Sequence, residues 1–371
     1  MREAVDMGVA PGIVGGLANR FGTLYLHATG LQSGAPRADM HIDSVFRIAS
    51  MTKPVTSLAV LMLVEEGKVD LDAPFAEYVP GYRQPEVLRS FDKATKRYAT
   101  SPAESRITVR QLLTHTGGYG YWFMDAPLLA LTKGAPNLLD PPFLMYPPGR
   151  KFSYSTSTDV LGQIFAPVAG MPIETFFERR IFAPLGMRDT GYSPPGDLSR
   201  LVTVNARRRG AFVEQPNETR GNAPRGGGGL YSTAADYLRF LCLLLNGGEL
   251  EGRRLLAREL VDAMTHNQIS ELYAERQVAA LGERSNDFVF MDGSQKFGFG
   301  VMIETRDRPT GRAAGSYSWG GIYNTYFWVD PSADLTGVLL TQTLPFADPA
   351  VHGAYERFEK AAYGARQKRN A

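Results

Sequence analysis

The segment Ser50-Met51-Thr52-Lys53 places a serine hydroxyl and a lysine amine three residues apart. Three residues are about one helical turn, so the two side chains would lie on the same face of a helix. A serine hydroxyl is a poor nucleophile until a neighbouring base takes its proton. A lysine that is kept neutral, or that shares its proton, can be that base. The pair is therefore a candidate centre for acyl transfer.

The residues that follow the pair predict a buried helix. Residues 55–64 are mostly apolar on every side of a helix, which is typical of a helix in the middle of a fold. Pro54 suits the first turn of this helix, and Gly67 suits its end. The Ser/Lys spacing alone occurs by chance in many helices. A buried lysine without partners is costly, however, and this setting favours a functional pair.

Tyr154 is a candidate proton relay for the pair. It follows Pro147-Pro148-Gly149 and precedes a predicted helix, so it would lie on a loop. A tyrosine there could simply pack in the core. If it lies near Lys53, the ammonium would lower the pKa of the phenol and burial would lower the pKa of the lysine. Either group could then accept the Ser50 proton.

Acyl transfer also requires hydrogen-bond donors for the developing oxyanion. The Ser50 N–H at the start of the helix is one candidate. The segment Trp319-Gly320-Gly321 is another, because two glycines let a ligand approach the main chain, and the next N–H belongs to Ile322. The alternative for this segment is an ordinary turn at the end of a strand.

The pattern of elements predicts an α+β fold, an α/β sandwich with an antiparallel sheet flanked by helices. The sheet would be built from both chain ends, with an inserted, mostly helical lobe. We expect residues 1–75 and 205–371 to form the sheet domain, residues 76–204 to form the helical domain, and the active site to lie in the cleft between them. The predicted strands are Gly12–Asn19, Thr23–Gly30, Phe297–Ile303, Ala313–Trp319, Thr325–Val329 and Leu335–Gln342, and Pro349–Tyr363 is a predicted closing helix.

Composition limits the possible partners. The formal net charge of the 371 residues is +2, which does not favour nucleic acid or an anionic membrane as a partner. Cys242 is the only cysteine, so no intrachain disulfide can form, and its apolar neighbours indicate a core position. No apolar run reaches the roughly 18 residues of a membrane span, and residues 1–10 lack a signal core. We therefore expect a cytoplasmic protein of undetermined oligomeric state.

Three motifs in this order resemble the serine β-lactamase and penicillin-binding-protein superfamily, and more narrowly the β-lactamase-like carboxylesterases (esterase family VIII). Ser50-Met51-Thr52-Lys53 matches the S-x-x-K motif. Tyr154-Ser155-Thr156 stands where class C enzymes carry Y-x-N, and Trp319-Gly320-Gly321 stands where they carry K-T-G. The resemblance implies that Ser50 is the nucleophile and that Lys53 and Tyr154 supply the base. It also implies oxyanion N–H groups from Ser50 and Ile322, and no cofactor.

Two departures from the motifs bear on the substrate. Thr156 replaces an asparagine whose amide could bind a peptide-like side chain, and Trp319 replaces a lysine that helps to hold the carboxylate of β-lactams. A tryptophan adds an apolar wall to the acyl pocket instead. We therefore expect a serine carboxylesterase that hydrolyses neutral small-molecule esters with short-to-medium acyl groups. The alternatives are a β-lactamase, a D-amino-acid peptidase or amidase, an acyltransferase with an acceptor other than water, and an inactive binding homologue.

Other hydrolase and ligand classes find little support in the sequence. No G-x-S-x-G elbow is present, so a Ser-His-Asp hydrolase is disfavoured, and His115 is interpreted as a structural loop residue. No histidine or cysteine spacing is typical of a metal site. The glycines 226–229 lack the Gly-Lys-Ser/Thr ending of a phosphate loop, and we interpret them as close backbone packing near the cleft.

Overall fold

The computed structural model describes residues 1–132, 137, 139–216 and 223–370. Within them the strands are β1 (Gly12–Asn19), β2 (Gly22–Gly34), β3 (Arg37–Asp39), β4 (Phe46–Arg47), β5 (Val87–Phe91), β6 (Tyr98–Ser101), β7 (Asn205–Arg208), β8 (Ala211–Glu214), β9 (Tyr231–Ser232), β10 (Glu249–Leu250), β11 (Arg253–Arg254), β12 (Lys296–Phe297), β13 (Met302–Ile303), β14 (Tyr317–Gly321), β15 (Thr325–Asp330), β16 (Leu335–Leu340) and β17 (Thr343–Leu344). The α-helices of the same residues are α1 (Arg2–Asp6), α2 (Thr52–Glu65), α3 (Val109–Leu113), α4 (Ala126–Thr132), α5 (Ser157–Leu161), α6 (Ile173–Phe177), α7 (Ala183–Leu185), α8 (Ala234–Leu245), α9 (Arg258–Thr265) and α10 (Pro349–Asn370).

The main sheet joins the two ends of the chain. Its strand order is β12-β13-β14-β15-β16-β1-β2-β3, and neighbouring strands are antiparallel. Strand β1 pairs on one side with β2 and on the other with β16, so the N-terminal hairpin completes a sheet made mainly from the last third of the chain. The predicted α+β fold, with a sheet built from both chain ends, is confirmed.

Helices cover both faces of this sheet. Successive side chains of a strand point to opposite faces, and β15 illustrates the result. The ring of Tyr326 stacks on Tyr355 of α10, with centroids 4.9 Å apart. The ring of the next residue, Phe327, contacts Tyr237 of α8, with centroids 5.5 Å apart. Both strand residues are buried, so the sheet forms the middle layer of a sandwich.

Helix α2 is the buried helix that the sequence predicts. Every residue from Thr52 to Leu63 is buried, including Lys53. The helix begins two residues before the predicted Pro54, and a short 3-10 turn, Ala49–Met51, leads into it. Ser50 therefore lies in this 3-10 turn and Lys53 lies in the first turn of the helix.

Three predicted boundaries in the C-terminal third are wrong. The predicted strand Phe297–Ile303 is two short strands, β12 and β13, that pair with each other across a turn in which Gly300 has φ +81°. The predicted strand Ala313–Trp319 begins only at Tyr317 and continues to Gly321. The predicted helix from Pro349 extends beyond Tyr363 to Asn370. In the first two cases a turn interrupts or delays an apolar run, and periodicity does not detect such a turn.

The inserted stretch between the two parts of the sheet is largely helical, although β5 and β6 form a hairpin within it. Its two longer helical runs, Ser157–Ala169 and Ile173–Leu185, each contain a π-helical turn, at Phe165–Ala169 and Glu178–Phe182. In the described residues no single helix is long and apolar enough to cross a membrane. These two runs together meet that test by length and composition, as a pair bent by 78°. The division into a sheet domain and a separate domain of residues 76–204 stays a prediction.

Candidate active site

A pocket of about 320 Å³ opens where the 3-10 turn before α2 faces strand β14. Its walls are mostly aromatic: Tyr121, Trp122, Phe123, Tyr154, Phe288, Phe290, Trp319 and Phe346. Ser50, Gly227, Gly228, Gly320 and Ile322 also line it, as do two arginines. This size is at the lower end of small-molecule sites, which are typically about 300–1,000 Å³.

The predicted Ser/Lys pair is in hydrogen-bond contact at this pocket. The Nζ atom of Lys53 lies 3.2 Å from the Oγ atom of Ser50. The backbone of Ala49, just before the serine, adopts a left-handed conformation with φ +47°, which is strained for a residue other than glycine. The short 3-10 turn thereby places the serine hydroxyl at the pocket and above the lysine.

Lys53 is completely buried, and its ammonium group has three hydrogen-bond partners. Besides Ser50, these are the carbonyl oxygen of Gly227 at 2.6 Å and the hydroxyl of Tyr121 at 3.1 Å. Burial by itself lowers the pKa of Lys53, but the phenol oxygens of Tyr121 and Tyr154 and the carboxylate of Asp159 outweigh it, so the net pKa is raised. Burial thus acts in the direction expected from the sequence, but the net pKa of Lys53 is raised rather than lowered. Lys53 holds its proton at neutral pH.

Tyr154 lies beside the pair, as the sequence predicts. The Nζ atom of Lys53 is 5.1 Å from the centroid of its ring. The ring packs against Tyr121, Trp319 and His115, with centroid distances of 5.2, 4.9 and 4.9 Å. These contacts fix the ring at the pocket, where Tyr154 is 4% exposed.

Tyr121 is a site residue that sequence reasoning missed. Its hydroxyl makes the direct contact with Lys53, and burial raises the pKa of Tyr121, although the nearby ammonium acts in the opposite direction. The Oδ2 atom of Asp125 accepts a hydrogen bond from the Tyr121 N–H at 2.8 Å and holds the loop. Burial raises the pKa of Asp125 to about 6. A tyrosine in a glycine-rich loop, three residues after Gly118, is the only local signal for Tyr121.

Asp159 was also missed, and it explains the glycine cluster. Its Oδ1 atom accepts a hydrogen bond from the Gly227 N–H at 3.1 Å, and its side chain is 1% exposed. A Cβ atom at Gly227 would lie 2.2 Å from the carboxylate, and one at Gly226 would lie 2.1 Å from the Thr158 carbonyl oxygen. Only glycine therefore lets this segment approach closely enough for its carbonyl to reach Lys53.

The predicted oxyanion segment reaches the pocket in part. Trp319, Gly320 and Ile322 line it. Gly321 is not among the lining residues and lies behind them, where a Cβ atom would be 2.3 Å from the carbonyl oxygen of Ile48. The indole N–H of Trp319 is buried and has no hydrogen-bond partner among the described residues. Trp319 therefore presents an apolar ring to the pocket.

His115 is buried behind the site. Its Nδ1 atom lies 3.3 Å from the Ser155 N–H, which donates to it. Burial and the neighbouring Lys53 ammonium lower the pKa of His115 well below its usual value, so the imidazole is neutral. The neutral ring packs against Tyr154 and helps to hold it at the pocket. No cluster of three or more histidine, cysteine, aspartate or glutamate side chains suited to a metal ion occurs in the described parts of the chain.

A sheet covered by helices on both faces, with a serine and a lysine at the mouth of a buried helix, defines the β-lactamase-like class of proteins. Residues 1–362 match the family described as Beta-lactamase, so the chain belongs to that family. The resemblance predicted from the three motifs is thereby confirmed.

Named relatives extend this family assignment. Esterase EstB of Burkholderia gladioli is 30% identical over 86% of this chain and 83% of its own length. The lovastatin esterase of Penicillium rubens is 30% identical over 91% of this chain and 90% of its own length. Among solved structures, a LovD6 mutant of simvastatin synthase (LovD) from Aspergillus terreus superimposes with a TM-score of 0.84. It is 27% identical, and the match covers 99% of this chain and 93% of that one.

Proposed function

We propose that this protein is a serine carboxylesterase that hydrolyses short-to-medium acyl esters through an acyl-enzyme on Ser50. The observation that carries the proposal is the 3.2 Å contact between the Ser50 hydroxyl and the buried Lys53 ammonium at an aromatic pocket. Two relatives that are 30% identical over most of their length are named esterases, which supports ester cleavage.

In the proposed reaction, the Ser50 Oγ atom attacks the ester carbonyl carbon and gives up its proton. Because Lys53 already holds a proton, we assign the first proton transfer to Tyr154, which would accept the proton as a phenolate and become a neutral phenol. The Lys53 ammonium would stabilise that phenolate before the transfer, and the negative charge then lies on the oxyanion of the tetrahedral intermediate. The Ser50 and Ile322 N–H groups would donate to the oxyanion. The proton then passes to the departing alcohol, and a water molecule hydrolyses the acyl-enzyme by the reverse transfers.

The pocket supports the limit on acyl length. A volume of about 320 Å³ bounded by aromatic rings suits a small apolar acyl group. The Trp319 ring contacts Tyr154 and Phe297 at centroid distances of 4.9 and 5.3 Å, so it is a fixed wall. We propose that this wall sets the acyl-chain preference.

Acyl transfer to an alcohol is the second candidate function. It is favoured by the aromatic lining, because apolar walls reduce the access of water to an acyl-enzyme. It is also favoured by the likeness to a protein named simvastatin synthase. Product analysis with added alcohols separates the two functions: transfer gives the new ester at millimolar alcohol, whereas hydrolysis gives the free acid.

The test combines labelling with two substrates. A fluorophosphonate should add to Ser50 and to no other serine, as read by peptide mass spectrometry. The protein should cleave p-nitrophenyl butyrate and leave a chromogenic cephalosporin almost unchanged. Ser50→Ala should abolish cleavage. Ser57→Ala is the matched control, because Ser57 lies in α2, just after the turn that holds Ser50, and its buried hydroxyl has no hydrogen-bond partner among the described residues. Labelling elsewhere, or fast cephalosporin cleavage with slow ester cleavage, would overturn the proposal.

A further inference from the structure

The catalytic pocket carries positive charge that the proposed ester hydrolysis does not use. Arg225 and Arg284 both line it, and the lining residues include no aspartate or glutamate within the described chain. Trp319 stands where the K-T-G motif has a lysine, and that loss favoured neutral substrates. Two guanidinium groups at the same pocket favour the opposite, because arginine is well suited to bind a carboxylate.

The two arginines differ in whether a carboxylate already neutralises them. Arg225 has its Nε atom 3.8 Å from the Oδ1 atom of buried Asp159, so part of its charge is compensated. Arg284 has no carboxylate within ion-pair distance among residues 1–132, 137, 139–216 and 223–370. Its guanidinium lies 6.0 Å from the centroid of the Tyr323 ring, at the outer limit of a cation–π contact. Arg284 is thus the uncompensated cation of the pocket.

The Nε atom of Arg284 is buried and has no hydrogen-bond partner in the described structure. Burying a charged donor without a partner is costly, and native proteins mostly avoid it. The two terminal Nη atoms are not among the buried atoms without a partner, so a bound group can accept hydrogen bonds from them and offset the charge of the guanidinium. A carboxylate is the acceptor whose geometry matches the guanidinium in two parallel bonds.

Backbone hydrogen bonds fix the main chain of Arg284 beside the pocket. The Arg284 N–H donates to the Leu281 carbonyl at 3.0 Å, and the Arg284 carbonyl accepts from the Phe346 N–H at 3.1 Å. The Leu281 N–H in turn donates to the carbonyl of Phe123, a pocket residue, at 3.0 Å. A loop that is hydrogen-bonded on two sides holds the Cα atom of Arg284 in place, which reduces the ordering that binding requires.

We infer that Arg284 binds a carboxylate of the substrate, so that the preferred substrates are esters that also carry a carboxylate, on either the acyl or the alcohol part. This inference rests on the proposed esterase function and specifies its substrate class. The Ser50, Lys53 and Tyr154 chemistry is unchanged by it. Arg284 supplies the selectivity between a charged ester and its neutral analogue.

The experiment compares charged esters with neutral esters of the same shape. Phenyl adipate against phenyl adipamate tests the acyl part, and 3-acetoxybenzoate against 3-acetoxybenzamide tests the alcohol part. In at least one pair, kcat/KM should be about 10- to 100-fold higher for the carboxylate, as expected for hydrogen bonds to a charged group. Arg284→Met should bring that ratio close to one, and Arg284→Lys should retain part of it. Arg254→Met is the control, because Arg254 pairs with Glu249 outside the pocket.

A binding measurement separates this inference from the proposed function. Calorimetry on the Ser50→Ala protein needs no turnover. It should give a lower Kd for the carboxylate than for the neutral member of the pair, and the Ser50→Ala/Arg284→Met double variant should lose this difference. If p-nitrophenyl butyrate is not cleaved and Ser50 is not labelled, the esterase proposal fails. The calorimetry still shows whether Arg284 binds a carboxylate. Equal affinity and equal turnover for both members of each pair would overturn the inference. A preference that disappears in Arg225→Met but survives in Arg284→Met would also overturn it.

Discussion

Asp125 is predicted to oppose folding at neutral pH, and Asp125→Asn should relieve that cost. Burial raises the pKa of this carboxyl from 3.8 to about 6. Because the folded-state pKa is raised, the protonated carboxyl contributes to the free energy of unfolding in full below pH 3.8, the unfolded-state pKa. This contribution is lost as the pH rises through 6, the folded-state pKa. The two pKa values differ by about 2.2, and each pKa unit is about 1.4 kcal/mol. The cost is therefore at most about 3 kcal/mol, and because Asp125 is only partly buried, screening by solvent reduces it to about 1–3 kcal/mol.

The asparagine keeps a carbonyl oxygen that can accept the Tyr121 N–H, so the loop that presents Tyr121 should stay in place. Urea unfolding of both proteins at pH 4.5, 6 and 8 measures the difference in the free energy of unfolding. The variant should gain about 1–2 kcal/mol on the wild type between pH 4.5 and pH 8, because the part of the titration below pH 4.5 is not sampled. Asp125→Ala, which removes the acceptor, should instead be destabilised throughout the range. A difference between Asp125→Asn and wild type that does not change with pH, or that falls as pH rises, would refute this reasoning.

Four further predictions concern the site and the core. Tyr154→Phe should lower kcat by about 10²–10⁴-fold, the range for loss of a general base. Tyr121→Phe should lower kcat by about 10–100-fold, because it removes one hydrogen bond to a charged group. If steady-state kinetics show the larger loss for Tyr121→Phe, Tyr121 rather than Tyr154 is the general base. The value of kcat/KM should rise with pH from neutral to alkaline, because the first proton transfer needs a deprotonated base while Lys53 keeps its proton, and a flat profile would count against the Lys/Tyr scheme. Trp319→Ala should shift the preference among p-nitrophenyl acyl chains toward longer ones, and an equal loss for every chain would show that Trp319 does not form the acyl wall. Burial raises the pKa of Cys242 to about 11, so iodoacetamide at pH 8 should label it only in unfolded protein, and mass spectrometry of labelled native protein would disprove this.

Local patterns in the chain were sufficient for the elements that position the nucleophile. The apolar residues of α2 predicted its burial, and the spacing of Ser50 and Lys53 predicted their contact, because residues three apart in a helix are neighbours in any fold. The strands of the main sheet were predictable for the same reason, since alternation and apolar runs report on neighbouring positions. The errors at β12, β13 and β14 occur where a turn interrupts such a run.

The tertiary structure decided the protonation state of Lys53 and the kind of substrate group that the pocket can bind. Tyr121 is 68 residues from Lys53 in sequence, and Gly227 is 174 residues from it. Periodicity carries no information about pairs so far apart, so neither contact, nor the nearby Asp159 charge that helps to raise the pKa of Lys53, could be found from the sequence. Arg284 could not be predicted as a pocket residue for the same reason. Nothing in its own segment shows that it lines the same pocket as Ser50. The chain alone therefore determined which groups could react, and the packing of distant segments determined their charge and what they can bind.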